Sequence, residues 1–353
     1  MKLIVPNEVK KLASLFARHG KPLYIVGGFI RDSFLGVKNS DIDLASCATI
    51  KDIIDILYNT EFTIKVKSER LSTIEISCGE LRMEHATFRR EWYEGSGGHT
   101  PTSVEFVDSI EEDYIRRDFT INAIYYDITN DTIVDPCEGM VDLSHYLVKS
   151  VTIPRMVFEN DGLRILRMIR LACTLVLDID GNTFKSAKEN IFRLQFISAS
   201  RIRDEFSRII QADIEHPEVE GHETAHSRGL LLLGEIGAWA YIIPQIESMR
   251  TNEMMFSGNE RLYDHVIRVV ELSAPEVRLS ALLHDIGKET CMKMQGNFND
   301  HAIVGAALIE DILGSEGLNY PRDVVMRVKQ IIAGHNFDKY GLAFESTIRR
   351  FIF

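Results

Sequence analysis

The sequence predicts an α+β protein, in which a head of mixed sheet and helices to about residue 150 precedes an all-helical body. Two observations support this division. Short alternating or apolar runs bounded by turn residues fill the first part and are typical of strands. From about Phe158 onward, apolar residues recur with the helical period of roughly 3.6. A length of 353 residues is enough for two or three domains, and we place their boundaries at 1–150, 151–250 and 251–353.

The elements of the head follow from their patterns in chain order. Asn7 is predicted to cap a helix that Gly20 closes. A strand at 23–26, a helix with Arg31 and Asp32, and a strand with Asp41 and Asp43 come next. Residues 91–102, rich in Gly, Ser and Thr, are predicted to form a mobile loop. Further strands are predicted at 62–66, 73–77, 81–87, 123–128 and 132–134.

The second part of the chain shows helical periodicity with no internal repeats and no low-complexity segments. Helices are predicted at 158–174, 183–194, 199–211, 260–272, 276–284, 299–313 and 322–333.

Composition restricts the class of protein. Hydrophobic content of 45% and charged content of 26% are those of an ordinary globular protein. No apolar run reaches the roughly 18 residues of a membrane span, and five scattered cysteines without Cys-x-x-Cys spacing indicate free thiols, as in the cytoplasm. The net charge of −12 disfavours a general nucleic-acid binder. Residues 155–208 nevertheless hold ten Lys/Arg against seven Asp/Glu, and a local basic surface can act inside an acidic whole.

The segment VGGFIRDSFLGVKNSDIDL carries the first chemical motif. Side chains alternate along a strand, so Asp41 and Asp43 point to one side and Ile42 to the other. Adjacent carboxylates repel unless a cation lies between them, and hard oxygen ligands suit Mg²⁺. Gly27 and Gly28 follow an apolar strand, where the backbone can approach a phosphate closely. The segment is neither a Rossmann fingerprint nor a Walker loop, and it predicts metal-dependent phosphoryl or nucleotidyl transfer.

This ordered combination resembles the head of the DNA polymerase β-like nucleotidyltransferases, and in detail the bacterial class II tRNA nucleotidyltransferase/poly(A) polymerase family. The resemblance covers roughly residues 20–340 and carries four motifs in the family's order. It implies addition of CMP, AMP or both to the tRNA 3′ end from CTP and ATP, with release of pyrophosphate and with two Mg²⁺ ions on Asp41 and Asp43. The cysteine pattern and the hydropathy noted above predict a cytoplasmic protein without a membrane partner, and the sequence leaves the oligomeric state open. The candidate nucleotide-binding residues are Gly27, Gly28, Arg31, Arg116, Arg117, Asp118, Asn122, Asp161, Arg164 and Arg167.

The second motif, RRDFTINA, begins at Arg116 and follows the acidic segment EEDY. Two adjacent arginines can bind triphosphate oxygens or an RNA backbone through bidentate hydrogen bonds. A charged helix N-terminus is the alternative interpretation. In the resembled family, this pattern lies between a flexible loop and the closing strand of the head, and here it stands at that place.

The third motif, ENDGLR, is predicted to place Asp161 and Arg164 at i,i+3 on one face of the helix 158–174. A carboxylate accepts and a guanidinium donates, so the pair matches the exocyclic amine and ring nitrogen of adenine or cytosine. A surface ion pair is the alternative. In the resembled family an acidic-Asp-x-x-Arg motif selects the base, and this sequence departs from it by having Asn160 where Glu is usual. The next motif, SASRIRDEFSRI with Arg201 and Glu205, is expected to buttress that helix.

The third candidate site combines His265, the pair His284-Asp285, His301 and His335. It resembles an HD phosphohydrolase domain, in which imidazole and carboxylate ligands hold a divalent transition metal such as Ni²⁺, Mn²⁺ or Co²⁺. His265, His284 and Asp285 are the predicted ligands. Lys288 can meet a phosphate, and Asp338 is the candidate for a last carboxylate.

Three interpretations remain open at this point. The first is tRNA 3′-end addition, in which Glu84 or Glu75 could complete the metal shell. The second is a degenerate RNA-binding head with an active HD phosphohydrolase domain. The third is a poly(A) polymerase. The HD segment favours the tRNA enzymes of the resembled family over this third interpretation. The sequence leaves open whether CCA, C or A is added. Because the chain stops at TIRRFIF without a cap, part of the family's helical tail is expected to be missing.

Overall fold

The computed structural model describes residues 3–39, 41–93, 98, 100–252, 254–257 and 259–335. The chain divides into two compact units, of which the first comprises Met1–Arg164 and Val176–Arg193, and the second Ile165–Leu175 and Leu194–Phe353. Both units are therefore discontinuous in sequence. Among the helices of the described residues, none combines the length and the apolar character needed to span a bilayer.

A seven-stranded sheet forms the centre of the first unit, in the order β3-β4-β5-β2-β1-β8-β9. Strands β2 and β5 run parallel, whereas the other neighbouring pairs of this sheet run antiparallel. The strands of this unit are β1 (Tyr24–Val26), β2 (Ile42–Ser46), β3 (Thr63–Ser68), β4 (Thr73–Cys78), β5 (Leu81–Thr87), β6 (Arg89–Trp92), β7 (Ser103–Phe106), β8 (Tyr125–Asp127), β9 (Thr132–Val134), β10 (Leu147–Val148) and β11 (Asp178–Ile179).

Strands β6 and β7 form a separate antiparallel ribbon, and β10 pairs with β11 in parallel. The helices up to residue 189 are α1 (Asn7–Arg18), α2 (Gly28–Leu35), α3 (Ile50–Ile56), α4 (Ile110–Asp113), α5 (Gly139–Ser144), α6 (Pro154–Asn160), α7 (Leu163–Thr174) and α8 (Gly181–Glu189). Beneath one face of the sheet, the buried cluster includes Val26, Phe88 and Tyr125.

The predicted strands of the head are confirmed, with their ends shifted by at most two residues. Two details were wrong. Pro6, not Asn7, occupies the N-cap position of α1, and no side chain caps that helix. Strand β6 extends to Trp92, so the predicted loop 91–102 begins later. Within that loop, residues 94–97 and 99 lie outside the described part of the chain.

The prediction of a single helix at 158–174 is also wrong, because the helix is interrupted between α6 and α7. Asp161 has an extended backbone, with φ −152° and ψ 108°, and its Oδ1 accepts a hydrogen bond from the Leu163 N–H at 3.0 Å. A Cβ at Gly162 would lie 2.9 Å from the carbonyl oxygen of Arg193. Asp161 therefore caps the start of α7 and does not share a helix face with Arg164.

The second unit is helical, as predicted. A T-shaped contact between Trp239 and Phe206, with ring centroids 5.8 Å apart, lies in its core. Helices between residues 225 and 251 were not predicted, since LLLL and two glycines obscure the amphipathic period there. The remaining elements are α9 (Ala199–Ile209), α10 (Ala212–Glu215), α11 (Ala225–Ile236), α12 (Trp239–Ile242), α13 (Pro244–Thr251), β12 (Met255–Ser257), β13 (Glu260–Arg261), α14 (Leu262–Glu271), α15 (Arg278–Leu283), α16 (Lys288–Gln295), α17 (His301–Leu313) and α18 (Arg322–Gly334).

Helix α9 is tied to α7 by a buried ion pair. Glu205 Oε2 accepts from Arg170 Nε at 2.7 Å, and both side chains are about nine-tenths buried. Glu205 therefore pairs with Arg170 and not with Arg201, the residue one turn before it. This contact agrees with the expected buttressing role of the SASRIRDEFSRI motif.

Candidate active site and candidate metal centre

The turn after β1 places a glycine beside an acidic strand. Val26 pairs with Asp43 across β1 and β2. Gly27 has a φ of +81°, a conformation that other L-residues rarely adopt. A Cβ at this position would lie 3.8 Å from Asp43 Oδ2 and 3.7 Å from the Asn122 carbonyl oxygen. Gly27 thus adopts the positive φ of this turn and adds no side chain next to the Asp43 carboxylate.

Asp41 and Asp43 are both exposed, and Ile42 between them is buried. The predicted alternation is therefore present, although Asp41 precedes the first residue of β2. The register of the sheet also places Glu84 of β5 beside Asp43. Carboxylate oxygens are the ligands that Mg²⁺ prefers, so these exposed side chains are candidate ligands for a hard divalent cation.

The sequence left Glu84 and Glu75 as alternatives for completing a metal shell. Glu84 is the direct register partner of Asp43, whereas Glu75 is paired with Glu84 one strand further away. Lys67 Nζ contacts both glutamates, at 3.1 Å from Glu84 and 3.4 Å from Glu75. Glu84 is therefore the nearer candidate, and its charge is balanced by Lys67 when no cation is bound.

Arg31 and Asn122 belong to a buried polar network behind Gly28. The Arg31 guanidinium donates to Asp32 Oδ1 at 2.7 Å and to Asn122 Oδ1 at 2.5 Å. Asn122 in turn donates to Asp118 Oδ1 at 3.0 Å. These side chains are all at least nine-tenths buried, so they hold the turn and α2 in place.

Arg116 and Arg117 converge on one carboxylate that the motif analysis did not single out. Asp113 is fully buried, and its Oδ1 accepts from Arg116 Nε at 2.7 Å while Oδ2 accepts from an Arg117 terminal N–H at 3.0 Å. Tyr125 Oη also donates to Oδ2, at 2.6 Å. Burial acts to raise the pKa of Asp113, but Arg116 and Arg117 outweigh it and hold that pKa well below its usual range. Asp113 therefore stays ionised.

Asp161 and Arg164 are buried, with 6% and 8% of their surfaces exposed. Arg164 donates to the Val157 carbonyl oxygen at 3.3 Å and to the Arg116 carbonyl oxygen. The guanidinium is thus fixed by main-chain acceptors on two sides. Arg167 lies half-buried one turn later on α7, within the second unit.

The end of β6 contributes two further residues near this pair. Tyr93 Oη donates to Glu91 Oε2 at 2.5 Å. Burial and then Glu91 raise the pKa of Tyr93. Among the smaller contributions, Arg164 lowers this pKa and Asp161 raises it. Sequence reasoning missed Glu91, Tyr93 and Asp113. The acidic segment EEDY was a signal for Asp113, but it could not tell which of three carboxylates points inward.

In the second unit, histidines surround Asp285. Its Oδ2 lies 3.1 Å from His284 Nε2 and 3.7 Å from His265 Nε2. Its Oδ1 lies 3.2 Å from His301 Nε2 and 3.8 Å from His335 Nε2. Two groups with ligand atoms inside 4.8 Å share this aspartate, namely His265–His284–Asp285 and Asp285–His301–His335.

The Nδ1 atoms of three of these histidines fix the ring orientation. Each lies 2.7 Å from a main-chain carbonyl oxygen, which can only accept, so Nδ1 carries the proton and Nε2 presents a lone pair toward Asp285. Lone pairs and a carboxylate that face one another are unfavourable without a cation, and the donor set therefore fits a transition metal. The pairs are His284 with Ala281, His301 with Phe298 and His335 with Ile332.

The centre opens to a pocket of about 970 Å³. Lys288 Nζ lies 2.7 Å from Asp285 Oδ2 and 4.2 Å from the ring centroid of Phe256. Asp338, the expected last carboxylate, lies outside the described residues.

Comparison with protein-family models gives three matches along the chain. Residues 23–149 match the poly A polymerase head domain, and residues 262–348 match the HD domain. Residues 177–217 match a region described as the probable RNA and SrmB-binding site of polymerase A.

Curated relatives include the CCA-adding enzyme of Lactococcus lactis subsp. lactis (strain IL1403), which is 34% identical over 238 residues, or 67% of this chain and 56% of that protein. The CCA-adding enzyme of Staphylococcus haemolyticus (strain JCSC1435) is 36% identical over 205 residues, or 58% of this chain and 50% of that protein. The chain thus spans about half the length of the curated relatives that it matches.

Among solved structures, the Bacillus stearothermophilus CCA-adding enzyme in complex with CTP aligns with 99% of this chain and 83% of its own length, at a TM-score of 0.63 and 22% identity. The Thermotoga maritima CCA-adding enzyme complexed with tRNA aligns with 99% of this chain and 79% of its own, at a TM-score of 0.61 and 18% identity. At these identities the likeness shows a shared fold. Together with the family models and curated relatives, it shows that the chain belongs to the bacterial tRNA nucleotidyltransferase/poly(A) polymerase family whose members carry an HD domain.

Proposed function

We propose that this protein is a template-independent nucleotidyltransferase that adds CMP and AMP to the 3′ end of tRNA, using CTP and ATP and releasing pyrophosphate. The observation that carries the proposal is the arrangement at the end of β1, where the positive-φ turn at Gly27 lies directly beside Asp43 and adds no side chain there. The curated relatives are named CCA-adding enzymes, and their names favour tRNA over a poly(A) tail. We place the protein in the cytoplasm, where free thiols persist.

In the proposed reaction, the 3′-hydroxyl of the RNA attacks the α-phosphate of the bound nucleotide. Two Mg²⁺ ions on Asp41 and Asp43 would lower the pKa of the attacking hydroxyl and stabilise the charge on the leaving pyrophosphate. Gly27 and Gly28 allow the backbone to approach the triphosphate, and Arg116 and Arg117 supply guanidinium donors to its oxygens. Arg31, Asp118 and Asn122 form a buried hydrogen-bonded network that stabilises the Gly27–Gly28 turn.

Base selection is assigned to Asp161 and Arg164. The carboxylate of Asp161 would accept from the exocyclic amine, and Arg164 would donate to the unprotonated ring nitrogen, an edge that adenine and cytosine share. Arg167 is placed with them as a nucleotide contact. The Arg164 donors meet main-chain carbonyl oxygens, so nucleotide binding requires Arg164 to exchange at least one of these hydrogen bonds for one to the base.

We assign one role to each of the three domains proposed from the sequence. Residues 1–150 form the nucleotidyltransferase head, 151–250 the neck and body for nucleotide and RNA recognition, and 251–353 the HD-type domain.

A metal-dependent phosphohydrolase activity of the HD centre is the second candidate function. It is favoured by the Nε2 lone pairs that surround Asp285 beside Lys288. We assign His265, His284 and Asp285 to a transition metal such as Ni²⁺, Mn²⁺ or Co²⁺, which would activate a water molecule for attack on a phosphate ester. Lys288 would then leave Asp285 and bind a phosphate oxygen.

The proposed function is tested with tRNA that lacks its CCA end, Mg²⁺ and each labelled NTP in turn. Stepwise incorporation of CTP and then ATP, with neither GTP nor UTP used, supports the proposal. A second substrate with an unrelated 3′ end distinguishes tRNA addition from poly(A) synthesis. Failure to extend tRNA, or extension of any RNA with ATP alone, contradicts it.

A further inference from the structure

We propose that Asp113 is a positioning residue, which orients the guanidinium groups of Arg116 and Arg117 for the triphosphate of the incoming nucleotide. The inference rests on the proposed nucleotidyltransferase function of the head and adds a residue to its binding machinery.

All acceptor positions of the Asp113 carboxylate are filled from the surrounding structure. Oδ1 accepts from Arg116 Nε at 2.7 Å and from the Arg89 main-chain N–H at 3.1 Å. Oδ2 accepts from Arg117 at 3.0 Å and from Tyr125 Oη at 2.6 Å. A carboxylate offers about four lone-pair directions, so this one is saturated, and it is completely buried.

The placement of the two arginines depends on this carboxylate. Arg116 and Arg117 are adjacent in sequence and carry like charges, so their guanidiniums would repel each other without a negative charge between them. A single 3₁₀ turn at Tyr114–Arg116 allows both side chains to reach back to Asp113, three and four residues earlier. Arg117 is additionally fixed against the Tyr125 ring, with its guanidinium carbon 5.0 Å from the centroid.

The same contacts leave donors for a ligand. Asp113 and Tyr125 take the Nε–H of both guanidiniums and one terminal N–H of Arg117. Within the part of the chain that the structure describes, the other N–H groups of these two arginines make no hydrogen bond. Arg89, Arg116 and Arg117 together face only two carboxylates, Asp113 and Glu91, which leaves a net positive charge. Preoriented guanidinium N–H groups with net positive charge suit the oxygens of a triphosphate.

A purely structural role is the competing explanation, because Asp113 also ties the start of β6 to β8 through Arg89 and Tyr125. The two roles differ in what they predict. A structural role changes the unfolding temperature and leaves the affinity of the folded protein intact. A positioning role lowers triphosphate affinity in folded protein, for every base alike.

The test measures the affinities of the full chain for ATP, CTP and inorganic tripolyphosphate at equilibrium with Mg²⁺, alongside thermal unfolding. The variant is Asp113→Asn, which keeps the shape, removes the charge and turns an amide donor toward a guanidinium. The matched control is Asp127→Asn, a similarly buried aspartate on β8 whose carboxylate accepts from the following turn at Thr129 and Asn130.

We expect Asp113→Asn to weaken all three ligands by a similar factor of about tenfold, which corresponds to one misaligned charge-assisted hydrogen bond. Asp127→Asn should stay within about twofold of wild type. Folded Asp113→Asn protein that binds like the control overturns the inference. If Asp113→Asn does not fold, Asp113→Glu decides, since it keeps the charge and displaces the oxygens. Weakened binding then supports positioning, and wild-type affinity overturns it. Wild-type protein that binds none of the three ligands contradicts the proposed function instead.

Discussion

The guanidinium of Arg164 donates a hydrogen bond to the main-chain carbonyl oxygen of Arg116. This bond joins the start of α7, where the base is proposed to be read, to the arginine pair proposed for the triphosphate. Under the proposed assignments, base recognition and phosphate binding would share this one backbone group.

Asp41→Ala and Asp43→Ala should each abolish nucleotide addition while the fold is retained. Both side chains are exposed, so little packing is lost, whereas loss of a metal ligand should reduce the rate by at least about 10³-fold. Single-turnover addition to tRNA measures the rate, and circular dichroism checks the fold. Asp55→Ala, at an exposed position of α3, serves as the control. Near-normal turnover in either site variant would remove the metal assignment.

Asp161→Ala should flatten the preference for ATP and CTP over GTP and UTP more than it weakens triphosphate binding. Each unmatched buried polar group costs about 1–3 kcal/mol. We therefore expect the wild-type enzyme to prefer ATP and CTP over GTP and UTP by about 10²–10⁴-fold, and we expect Asp161→Ala to reduce this preference by about 10- to 100-fold. Incorporation of all four NTPs measures this.

The capping role of Asp161 requires a separate control for that experiment. Asp161→Asn keeps an oxygen that can accept from Leu163 and changes the hydrogen-bonding pattern presented to the base. Asp180→Ala removes a comparable cap at the start of α8, which should cost about 1 kcal/mol without affecting base choice. An unchanged NTP preference in both Asp161 variants would exclude this residue from base selection.

Gly162→Ala should destabilise the first unit by about 1–3 kcal/mol, because the added methyl would meet the backbone of Arg193. Gly181 provides a matched position, since a Cβ there would have no atom within 4 Å among the described residues. Gly181→Ala should therefore be neutral or slightly stabilising. Urea unfolding of both variants gives the comparison. Equal stabilities of the two variants would show that Gly162 does not pack against the Arg193 backbone as described.

His85→Gln should remove one component of acid destabilisation. Burial lowers the pKa of His85 from 6.5 to about 3, so the unfolded chain binds a proton that the folded chain excludes over this range. The free energy of unfolding should thus fall as the pH drops from about 6.5 toward 3, with a slope of at most about 1.4 kcal/mol per pH unit from this group. Denaturant titrations between pH 4 and 7 should show a shallower slope in His85→Gln. His145→Gln, at an exposed position, should keep the wild-type slope.

His284→Ala should eliminate transition-metal binding and phosphohydrolase activity while nucleotide addition persists. The variant removes one of the imidazoles nearest to Asp285, at 3.1 Å. Elemental analysis after reconstitution with Ni²⁺, Mn²⁺ or Co²⁺ measures the first effect, and His19→Ala controls for adventitious histidine binding. Wild-type protein that retains none of these metals after reconstitution would count against the centre.

Local patterns were sufficient to predict most of the head strands, because alternation and turn residues are encoded within a few positions. The same holds for Asp41 and Asp43, whose common side follows from strand geometry alone. The break at Asp161 could not be predicted, since it depends on Arg193, which is 31 residues beyond Gly162 and packs against it. The amphipathic period continues through the break and conceals it.

Asp113 and Asp285 illustrate a second limit of sequence reasoning. The HD pair is recognisable by its letters, but the gathering of His301 and His335 around Asp285 needs the packing of α17 against α18. For Asp113, the sequence shows an acidic cluster and two arginines, and only the tertiary structure selects which carboxylate meets them. Long-range selection among chemically equivalent side chains is information that no local pattern contains.

The interleaved course of the chain has a consequence for dissecting the protein. Because Val176–Arg193 belongs to the first unit and Ile165–Leu175 to the second, no single cut separates the complete first unit from the second. A fragment that ends at Arg164 would lack α8, against which α6 packs, and would expose the buried side chains Val157 and Phe158 of α6. A fragment extended to Arg193 would include Ile165–Leu175, a helical segment that belongs to the second unit and would have lost its packing partners there. We expect recombinant heads of either length to aggregate, so separate activities are better assigned by point substitutions in the full chain than by truncation.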